Sequence, residues 1–308
     1  MNTSQFIFKM TDIFMKEPQN AIEYDGVYHE VNIPYADYGG ENTMGDIYYK
    51  PELLRNGKKY PVVLYIHGGG FIMGDKKYRV GASEQFADHE YFVYSINYRL
   101  PPEVDLHSQL EDVVNAFNFL GELAERYNID LDRIIVSGDS SGGFCASFLQ
   151  GLATNEGLAE KLELPELKYK PATAVLGCGM YNVETEMKEL SKISNDIVVE
   201  MANMILQFDV DKDLSNIHDY PNFDLYQPYS LVNNKWCPTF ICWARKDIFC
   251  PEQGQPMTVK LLMNNVKLDS YVANSVTNMH CFHLLQRTSA SQKCMAKCFN
   301  FLDGVLLN

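Results

Sequence analysis

The stretch IIVSGDSSGGFCASFL, residues 134–149, decides the fold of this chain. Three branched apolar residues lead into a polar, glycine-rich turn, and apolar residues with helical spacing leave it. This order predicts a buried strand, a tight turn and a buried helix, which together form the repeating unit of an α/β sheet. The turn fits the pattern G-x-S-x-G and reads GDSSG from Gly138 to Gly142.

Other apolar runs of strand length continue the same rhythm along the chain. They cover residues 61–67, 90–98, 132–138, 172–178, 238–244 and 267–273, and helical patterns lie between them. Nearly continuous hydrophobicity is typical of strands covered on both faces, as in a parallel sheet. Two earlier stretches, residues 26–36 and 43–51, are predicted to be antiparallel edge strands. The sequence therefore predicts an α/β fold, a mostly parallel sheet of about eight strands with helices on both faces.

One long segment interrupts this alternation. Residues 180–229 contain no strand pattern, and SNDIVVEMANMILQF (194–208) within them is predicted to be helical. An insertion of this length in an α/β sheet is usually a cap or lid. We therefore expect a single domain, residues 1–308, with small cap elements from residues 1–45 and 180–230. A final helix is predicted from Phe282 to Leu302.

The composition limits the classes of function. The 308-residue chain carries a net charge of −14, which argues against binding nucleic acid or an anionic membrane, because both need basic patches. No window approaches 18 apolar residues and the N-terminus lacks an apolar core, so we expect no membrane span and no signal peptide. The eight cysteines are scattered, which predicts reduced thiols, a cytoplasmic protein and no metal site. The oligomeric state stays open, a homodimer included.

Ser140 occupies the tip of the predicted turn. A serine there points its hydroxyl away from the sheet, and flanking glycines let strand and helix approach closely because they lack a Cβ. The next helix presents its free N–H groups and positive dipole end to the same point. Ser140 is therefore the candidate nucleophile, although the pentapeptide alone also fits an ordinary glycine-rich turn.

A second motif, YIHGGGFIMGD at residues 65–75, directly follows an apolar strand pattern. Three consecutive glycines let several backbone N–H groups face one point, which is what a tetrahedral oxyanion needs. We expect the oxyanion hole to consist of the amides of Gly69, Gly70 and Ser141. A phosphate-binding loop is disfavoured because no Lys-Ser or Lys-Thr pair follows the glycines.

A serine hydroxyl needs a base that removes its proton, and the base needs an acid that orients it. Both groups are expected after the serine in the chain, at the carboxyl ends of strands. Asp247 lies three residues after the apolar run that ends at Ala244, and His280 lies in the loop after the last predicted strand. The predicted catalytic residues are thus Ser140, Asp247 and His280, with His283 as the less favoured base.

Four stretches together resemble the hormone-sensitive-lipase-like esterases of the α/β-hydrolase fold: HGGGF (67–71), NYRLPPE (97–103), GDSSGG (138–143) and ARKDIF…HCF (244–249, 280–282). They occur in the family's order and span residues 60–300. The resemblance implies the same triad, oxyanion donors and cap elements, and no cofactor. The chain departs from the family pattern at Ser141, where alanine is usual, and at Cys281, where glycine is common. Ile248 and Phe249 replace the more usual Pro-Leu.

Several charged residues have structural interpretations. Asp139, beside the candidate nucleophile, is expected to brace the turn. Arg99 and Glu103 are expected to form an ion pair or loop anchor, and Asp112 to brace the loop before its helix.

The candidate pocket residues are aromatic. Phe71, Tyr181 and Phe208 are the tentative substrate-binding residues, and the same interpretation extends to Phe223, Tyr226 and Tyr229. These side chains fit the wall of an acyl or alcohol pocket and the core of the cap equally well.

These residues predict a serine carboxylesterase that hydrolyses short- to medium-chain acyl esters through an acyl-enzyme. Its partner would be a small-molecule ester, and no metal or organic cofactor is required. An acetyl esterase acting on acetylated sugars or xylan fragments, or a peptidase, would use the same triad. The non-enzymatic alternative is a ligand-binding protein on an inactive hydrolase scaffold.

Overall fold

The computed structural model describes residues 2–54, 57–275 and 277–306. The parts of the predicted domain at residues 1, 55–56, 276 and 307–308 lie outside the described residues. Eight strands form one sheet in the described chain. They are β1 (Tyr28–Pro34), β2 (Met44–Tyr49), β3 (Tyr60–Ile66), β4 (Phe92–Ile96), β5 (Ile129–Asp139), β6 (Thr173–Gly177), β7 (Thr239–Ala244) and β8 (Leu268–Ala273).

The strand order across the sheet is β1-β2-β4-β3-β5-β6-β7-β8. Strands β3 to β8 run parallel to one another, whereas β2 pairs antiparallel with both β1 and β4. The eight predicted strands and the mostly parallel sheet are confirmed. The prediction that both early strands lie at an edge is wrong for β2, because β1 occupies the position beside it and is itself the edge.

Successive strand side chains point to opposite faces of the sheet. Both faces are apolar here, and helices cover each of them. Val62, Leu64 and Ile66 of β3 belong to one apolar cluster, and Val63 and Tyr65 belong to the other. All five side chains are buried, and full burial of one such side chain contributes about 1.5–3 kcal/mol. The helices are α1 (Thr3–Gln19), α2 (Val80–Asp88), α3 (Leu106–Arg126), α4 (Ser141–Thr154), α5 (Leu158–Lys161), α6 (Val183–Leu206), α7 (Pro228–Leu231), α8 (Gly254–Met263) and α9 (Ser289–Leu306).

Each apolar cluster joins the sheet to its own set of helices. The first contains side chains of α3, α4 and α8, and the second contains side chains of α2 and α9. This two-sided covering explains why the inner strands β3, β4, β6 and β7 are buried along nearly their whole length and do not alternate.

The last helix starts later than predicted. A short 3₁₀ turn covers Phe282–Leu284, and α9 begins at Ser289. Cys281 has a φ of 54°, which is incompatible with a helical start, and the amide of Leu284 bonds the Cys281 carbonyl in the i to i+3 pattern of a 3₁₀ turn. The chain uses this turn to leave the loop that carries His280.

Two helices, α1 and α6, come from the segments predicted to form a cap, and they contact each other. The amide and hydroxyl of Ser4 both donate to Glu200 of α6, at 2.7 and 2.6 Å. Helix α6 is interrupted at Ser194, whose φ of −155° and ψ of 94° are not helical. Residues 180–229 contain no strand, as predicted. Among the described helices, none has the length and apolarity needed to cross a bilayer.

Candidate active site

Ser140 stands between the end of β5 and the start of α4, in a strained turn. Its φ of 55° and ψ of −122° are rare for a residue with a Cβ. Its amide donates to the carbonyl of Gly177 on β6, at 2.9 Å. Position 142, two residues after Ser140, must be glycine, because a Cβ there would lie 2.0 Å from the carbonyl oxygen of Ile66. The turn therefore fixes the Ser140 side chain at the carboxyl end of the strands.

The glycine loop after β3 approaches the same turn. Gly69 and Gly70 have φ values of 142° and 62°, and a Cβ on Gly69 would lie 1.9 Å from the carbonyl oxygen of Met73. In the described chain the amides of Gly69, Gly70 and Ser141 donate to no backbone carbonyl. Ser141 is the first residue of α4, where helical N–H groups lack a partner within the helix. The three predicted oxyanion donors are therefore available to an anion.

His67, which directly precedes the three glycines of the loop, has a structural position. Its ring is buried and stacks on Tyr98 at 4.5 Å between centroids. Nδ1 lies 2.8 Å from the carbonyl oxygen of Gly68. Burial lowers the pKa of His67 to about 4, so the ring stays neutral and supports the loop.

Asp247 and His280 lie against each other although 33 residues separate them. Nδ1 of His280 lies 2.8 and 3.0 Å from the two carboxylate oxygens of Asp247. The backbone amides of Phe249 and Cys250 donate to the same carboxylate, both at 2.9 Å. His283 is buried, and its Nδ1 has no hydrogen-bond partner. Of the two candidate bases, His280 is the one that Asp247 orients, which leaves its Nε2 for another partner.

The electrostatics of this pair favour a charged imidazole. Burial acts to lower the pKa of His280, but the Asp247 carboxylate, by its charge and its hydrogen bond, raises that pKa to about 9. Burial acts to raise the pKa of Asp247, and the His280 charge and the two amide donors bring it below its usual value. Asp247 therefore stays ionised, as an orienting acid must.

A cavity of about 160 Å³ brings these parts together. Ser140, His280 and Gly69 line one side of it, and α1 covers it with Phe8, Thr11, Asp12, Met15 and Gln19. A wider cleft of about 360 Å³ lies between Asp247 and α8, but neither Ser140 nor His280 lines it. The 160 Å³ cavity, here called the reaction cavity, is therefore the candidate active site.

A second, apolar cavity of about 50 Å³ begins at Gly70 and runs under α6. Phe71 lines it, together with Leu106 and methionine, valine and leucine side chains of α6 and the segment before it. Tyr181 and Phe208 line neither cavity. Tyr181 is completely buried in the core, and Phe208 packs edge-on against Tyr220 at 6.3 Å.

Helix α1 contributes site residues that sequence reasoning missed. The Phe8 ring covers Gly70 so closely that a Cβ there would lie 2.6 Å from it. Asp12 is 9% exposed, and its Oδ2 has no hydrogen-bond partner. Burial raises the pKa of Asp12 to about 6. No motif marks these positions, and only their spacing of about one helical turn on α1 offered a signal.

Below the cavity, Asp139 and Arg79 form a buried ion pair. Two guanidinium nitrogens donate to the two carboxylate oxygens, both at 2.8 Å. The amide of Gly68 and the hydroxyl of Tyr65 donate to the same carboxylate, at 3.3 and 3.2 Å. The prediction that Asp139 braces the turn is confirmed, and Arg79, which belongs to no motif, was missed.

The prediction that Arg99 pairs with Glu103 is wrong. The guanidinium of Arg99 binds Asp112 of α3 at 2.7 and 2.8 Å, and the Arg99 amide donates to the same carboxylate at 2.9 Å. Asp112 is completely buried and needs a cation, whereas the exposed Glu103 carboxylate needs none. The predicted role of Asp112 as a brace of this loop is confirmed.

Solved esterases share this architecture. Esterase B from Lactobacillus Rhamnosis (HN001) is 21% identical, with a TM-score of 0.82 over 98% of this chain and 93% of that chain. An esterase from Pyrobaculum calidifontis is 19% identical, with a TM-score of 0.72 over 99% and 93%. At such identities the likeness shows the fold alone. The protein is an α/β-hydrolase by fold, as the sequence predicted.

Curated proteins with similar sequences include an esterase and a deacetylase. Esterase LipI of Mycobacterium tuberculosis is 37% identical over 39% of this chain and 38% of the relative. Arylacetamide deacetylase of Oryctolagus cuniculus is 28% identical over 74% and 58%. The matches thus span roughly half the length of these curated relatives. Residues 46–261 match the family model BD-FAE, and because this is more than half of the chain, the chain belongs to the BD-FAE family.

Proposed function

We propose that the chain is a serine carboxylesterase that hydrolyses small-molecule esters with short- to medium-chain acyl groups. One observation carries the proposal: Ser140 in its strained turn and His280 held by Asp247 line the same cavity. The names of the relatives, LipI esterase and arylacetamide deacetylase among them, support the same chemistry. Residues 1–45 and 180–230 contribute the cap through α1 and α6.

The mechanism follows from this arrangement. His280 takes the proton of Ser140 through Nε2, and the serine oxygen attacks the ester carbonyl. The amides of Gly69, Gly70 and Ser141 bind the oxyanion, and losing one such donor typically costs about 3–4 kcal/mol in the transition state. His280 then protonates the leaving alcohol, and water repeats the sequence on the acyl-enzyme.

The two cavities suit the two halves of an ester. The apolar cavity starts at Gly70, one of the proposed oxyanion donors, and its small volume of about 50 Å³ favours a short acyl group. The reaction cavity is larger and contains polar side chains of α1, which favours placing the alcohol there. Phe71 is the aromatic acyl-pocket residue in this arrangement, whereas Tyr181 and Phe208 support the cap from its core.

A substitution at the nucleophile tests the proposal directly. Ser140→Ala should lower the hydrolysis of p-nitrophenyl butyrate by roughly 10⁴-fold or more and should abolish labelling by a fluorophosphonate. Ser147→Ala is the matched control, because Ser147 lies on α4, the helix that follows Ser140, and its hydroxyl only donates to the carbonyl of Gly143. Equal turnover by Ser140→Ala and the wild type contradicts the assignment, and an unlabelled wild type supports the inactive scaffold.

A second candidate is an acetyl esterase that acts on acetylated sugars or xylan fragments. The unpartnered Oδ2 of Asp12 in the wall of the reaction cavity favours it, because a sugar hydroxyl would supply the missing donor. Rates on acetyl to decanoyl p-nitrophenyl esters, compared with acetylated xylose, distinguish the two substrates. Asp12→Ala should raise KM for the sugar ester and leave that for p-nitrophenyl acetate close to the wild-type value.

The cysteines fit a reducing compartment. All eight are free thiols, which is the usual state in the cytoplasm. We include a cytoplasmic location in the proposal on this ground.

A further inference from the structure

Three possible metal ligands meet beside the reaction cavity: Cys178, His280 and Cys281, here called the Cys–His cluster. The two sulfurs and one imidazole nitrogen all lie within 4.8 Å of one another. Cys178 directly follows β6, and Cys281 directly follows His280. Both cysteines are buried, and both have a left-handed backbone, with φ values of 46° and 54°. Such strained positions concentrate at functional sites.

The spacing of these atoms is close to that of a zinc site. Zn–S bonds of about 2.3 Å in a tetrahedron place two sulfurs roughly 3.8 Å apart. Atoms within 4.8 Å of one another reach this arrangement through side-chain shifts of about an ångström or less. Two thiolates and one neutral imidazole also balance the charge of a divalent cation, so the complex is neutral in its buried position.

The imidazole is already oriented for such a role. Its Nδ1 is bound to Asp247 at 2.8 Å, so Nε2 is the nitrogen that remains for a cation. A carboxylate behind a ligating histidine is a common feature of zinc centres, because it fixes the ring and increases its basicity. The Cys281 thiol donates to Oδ2 of Asp139 at 3.9 Å, but Arg79 donates to both oxygens of that carboxylate, so Asp139 is not one of the ligands.

A cation has a path to the cluster. His280 and Cys281 both line the reaction cavity, which also leaves room for a water at the fourth position of a tetrahedron. The net charge of −14 favours the approach of cations in general.

We propose that the Cys–His cluster binds one Zn²⁺ ion through Cys178 Sγ, Cys281 Sγ and His280 Nε2, and that the bound ion inhibits hydrolysis. Binding releases the two thiol protons to solvent, together with the Nε2 proton of His280 where the imidazole is charged, and it involves no electron transfer. The inhibitory part rests on the proposed function, because the ion occupies the nitrogen that would take the proton of Ser140. The binding part stands independently of it.

The first experiment measures inhibition. Wild-type enzyme, freed of metal and kept reduced, is titrated with Zn²⁺ during hydrolysis of p-nitrophenyl butyrate, and a chelator should restore the activity. Cys178→Ala and Cys281→Gly each remove a direct ligand, so each should raise the Zn²⁺ concentration for half-inhibition by more than about 100-fold. Loss of a group that only hydrogen-bonds a ligand typically costs about 10–100-fold. Glycine suits the backbone of Cys281. Cys237→Ala, which removes a thiol outside the cluster, should be inhibited like the wild type.

The second experiment measures binding without activity. Ser140→Ala is titrated with Co²⁺, and a near-ultraviolet thiolate-to-cobalt charge-transfer band should saturate at one ion per chain. The band should weaken in Ser140→Ala combined with Cys281→Gly. A missing band, or inhibition that is equal in the cluster variants and the wild type, overturns the site. If Ser140→Ala shows the normal cobalt band but the metal-free wild type hydrolyses no ester, the proposed function is refuted and the metal site stands.

Discussion

The turn at Ser140 and the cap helices differ in how they are held. The turn lies above completely buried strands and is fixed by the Arg79–Asp139 pair, whose side chains are 6% and 0% exposed. Helix α1 leaves Phe14 70% exposed and Phe6 52% exposed. The ion pairs on α6, such as Lys188 with Glu184, lie at the surface. The reacting groups thus stand on the buried sheet, here called the rigid layer. The two cavities are covered by the cap helices α1 and α6, which are held by fewer buried contacts.

This difference has a physical basis. A general base and a nucleophile must keep their geometry to within a fraction of an ångström, because small displacements cost large factors in rate. A cover must open for substrate, so it uses few buried contacts and local hydrogen bonds. Four substitutions test whether the two layers differ in this way.

The largest effect is expected at Asp247 in the rigid layer. Asp247→Asn should lower kcat by about 10⁴-fold, because the amide no longer stabilises the charged imidazole or its tautomer. In the wild type, kcat/KM should rise with pH toward about 9, since His280 acts as a base only after losing its proton. A pH–rate profile checks both statements. A wild-type profile that is flat from pH 7 to 10 contradicts the raised pKa.

The surface supplies the control for this variant. His218 and Asp224 form another histidine–aspartate pair, at 2.9 Å, and Asp224 is exposed. Asp224→Asn should leave kcat within a factor of two or so, because the pair lies on the surface and outside the reaction cavity.

The next effect concerns the buried ion pair. Arg79→Met leaves the Asp139 carboxylate buried without its cation, and it should lower the free energy of unfolding by about 3–5 kcal/mol. Lys188→Met breaks an exposed pair on α6 and should cost about 0–1 kcal/mol. Urea denaturation of both variants compares the two layers directly. Equal losses would show that burial does not distinguish them.

A smaller, pH-dependent effect is expected at Asp12 on the cap. Burial raises its pKa from 3.8 to about 6, so the folded protein binds this proton more tightly than the unfolded chain does. Stability should therefore fall as pH rises from about 4 to about 6, by at most roughly 3 kcal/mol. Asp12→Asn should lack this loss. Melting curves from pH 4 to 7 measure it, with Asp25→Asn, an exposed position, as the reference.

The smallest effect is expected where α1 joins α6. Ser4→Ala removes one hydrogen bond to Glu200 but keeps the amide bond, so it should cost about 1 kcal/mol. Limited proteolysis should cleave α1 faster in this variant. Ser191→Ala, whose hydroxyl bonds only the nearby Lys188 carbonyl, should not change the rate. An unchanged rate in Ser4→Ala would mean that other contacts hold α1.

The parts of the site that were predicted from sequence share one property, since each depends on a local pattern. The glycines around Ser140 are required because an added Cβ would lie as close as 2.0 Å to β3. Their spacing in the sequence therefore predicts the turn. Asp247 was expected at a strand end, and it lies three residues beyond β7. His280 was placed by chain order, and His283 was kept as an alternative because both follow the last strand.

The parts that were missed depend on contacts between distant residues. Arg79 is 60 residues from Asp139, and its loop carries no recognisable motif. The error at Arg99 has the same cause, because the choice between Glu103 and Asp112 depends on which carboxylate the fold buries. Asp12 and Phe8 reach the reaction cavity only because α1 packs across the end of the sheet.

The amino-acid sequence by itself determined the order of strands and helices, the strained serine turn and the chemical types of the reacting groups. These follow from periodicity and from glycine positions, which are properties of neighbouring residues. Only the tertiary structure decided which acid faces which base, which helix covers the cavity, and that two cysteines 103 residues apart meet beside His280. Those outcomes depend on how the layers pack, because burial selects among many compatible pairings the one that leaves the fewest charges and polar atoms without partners.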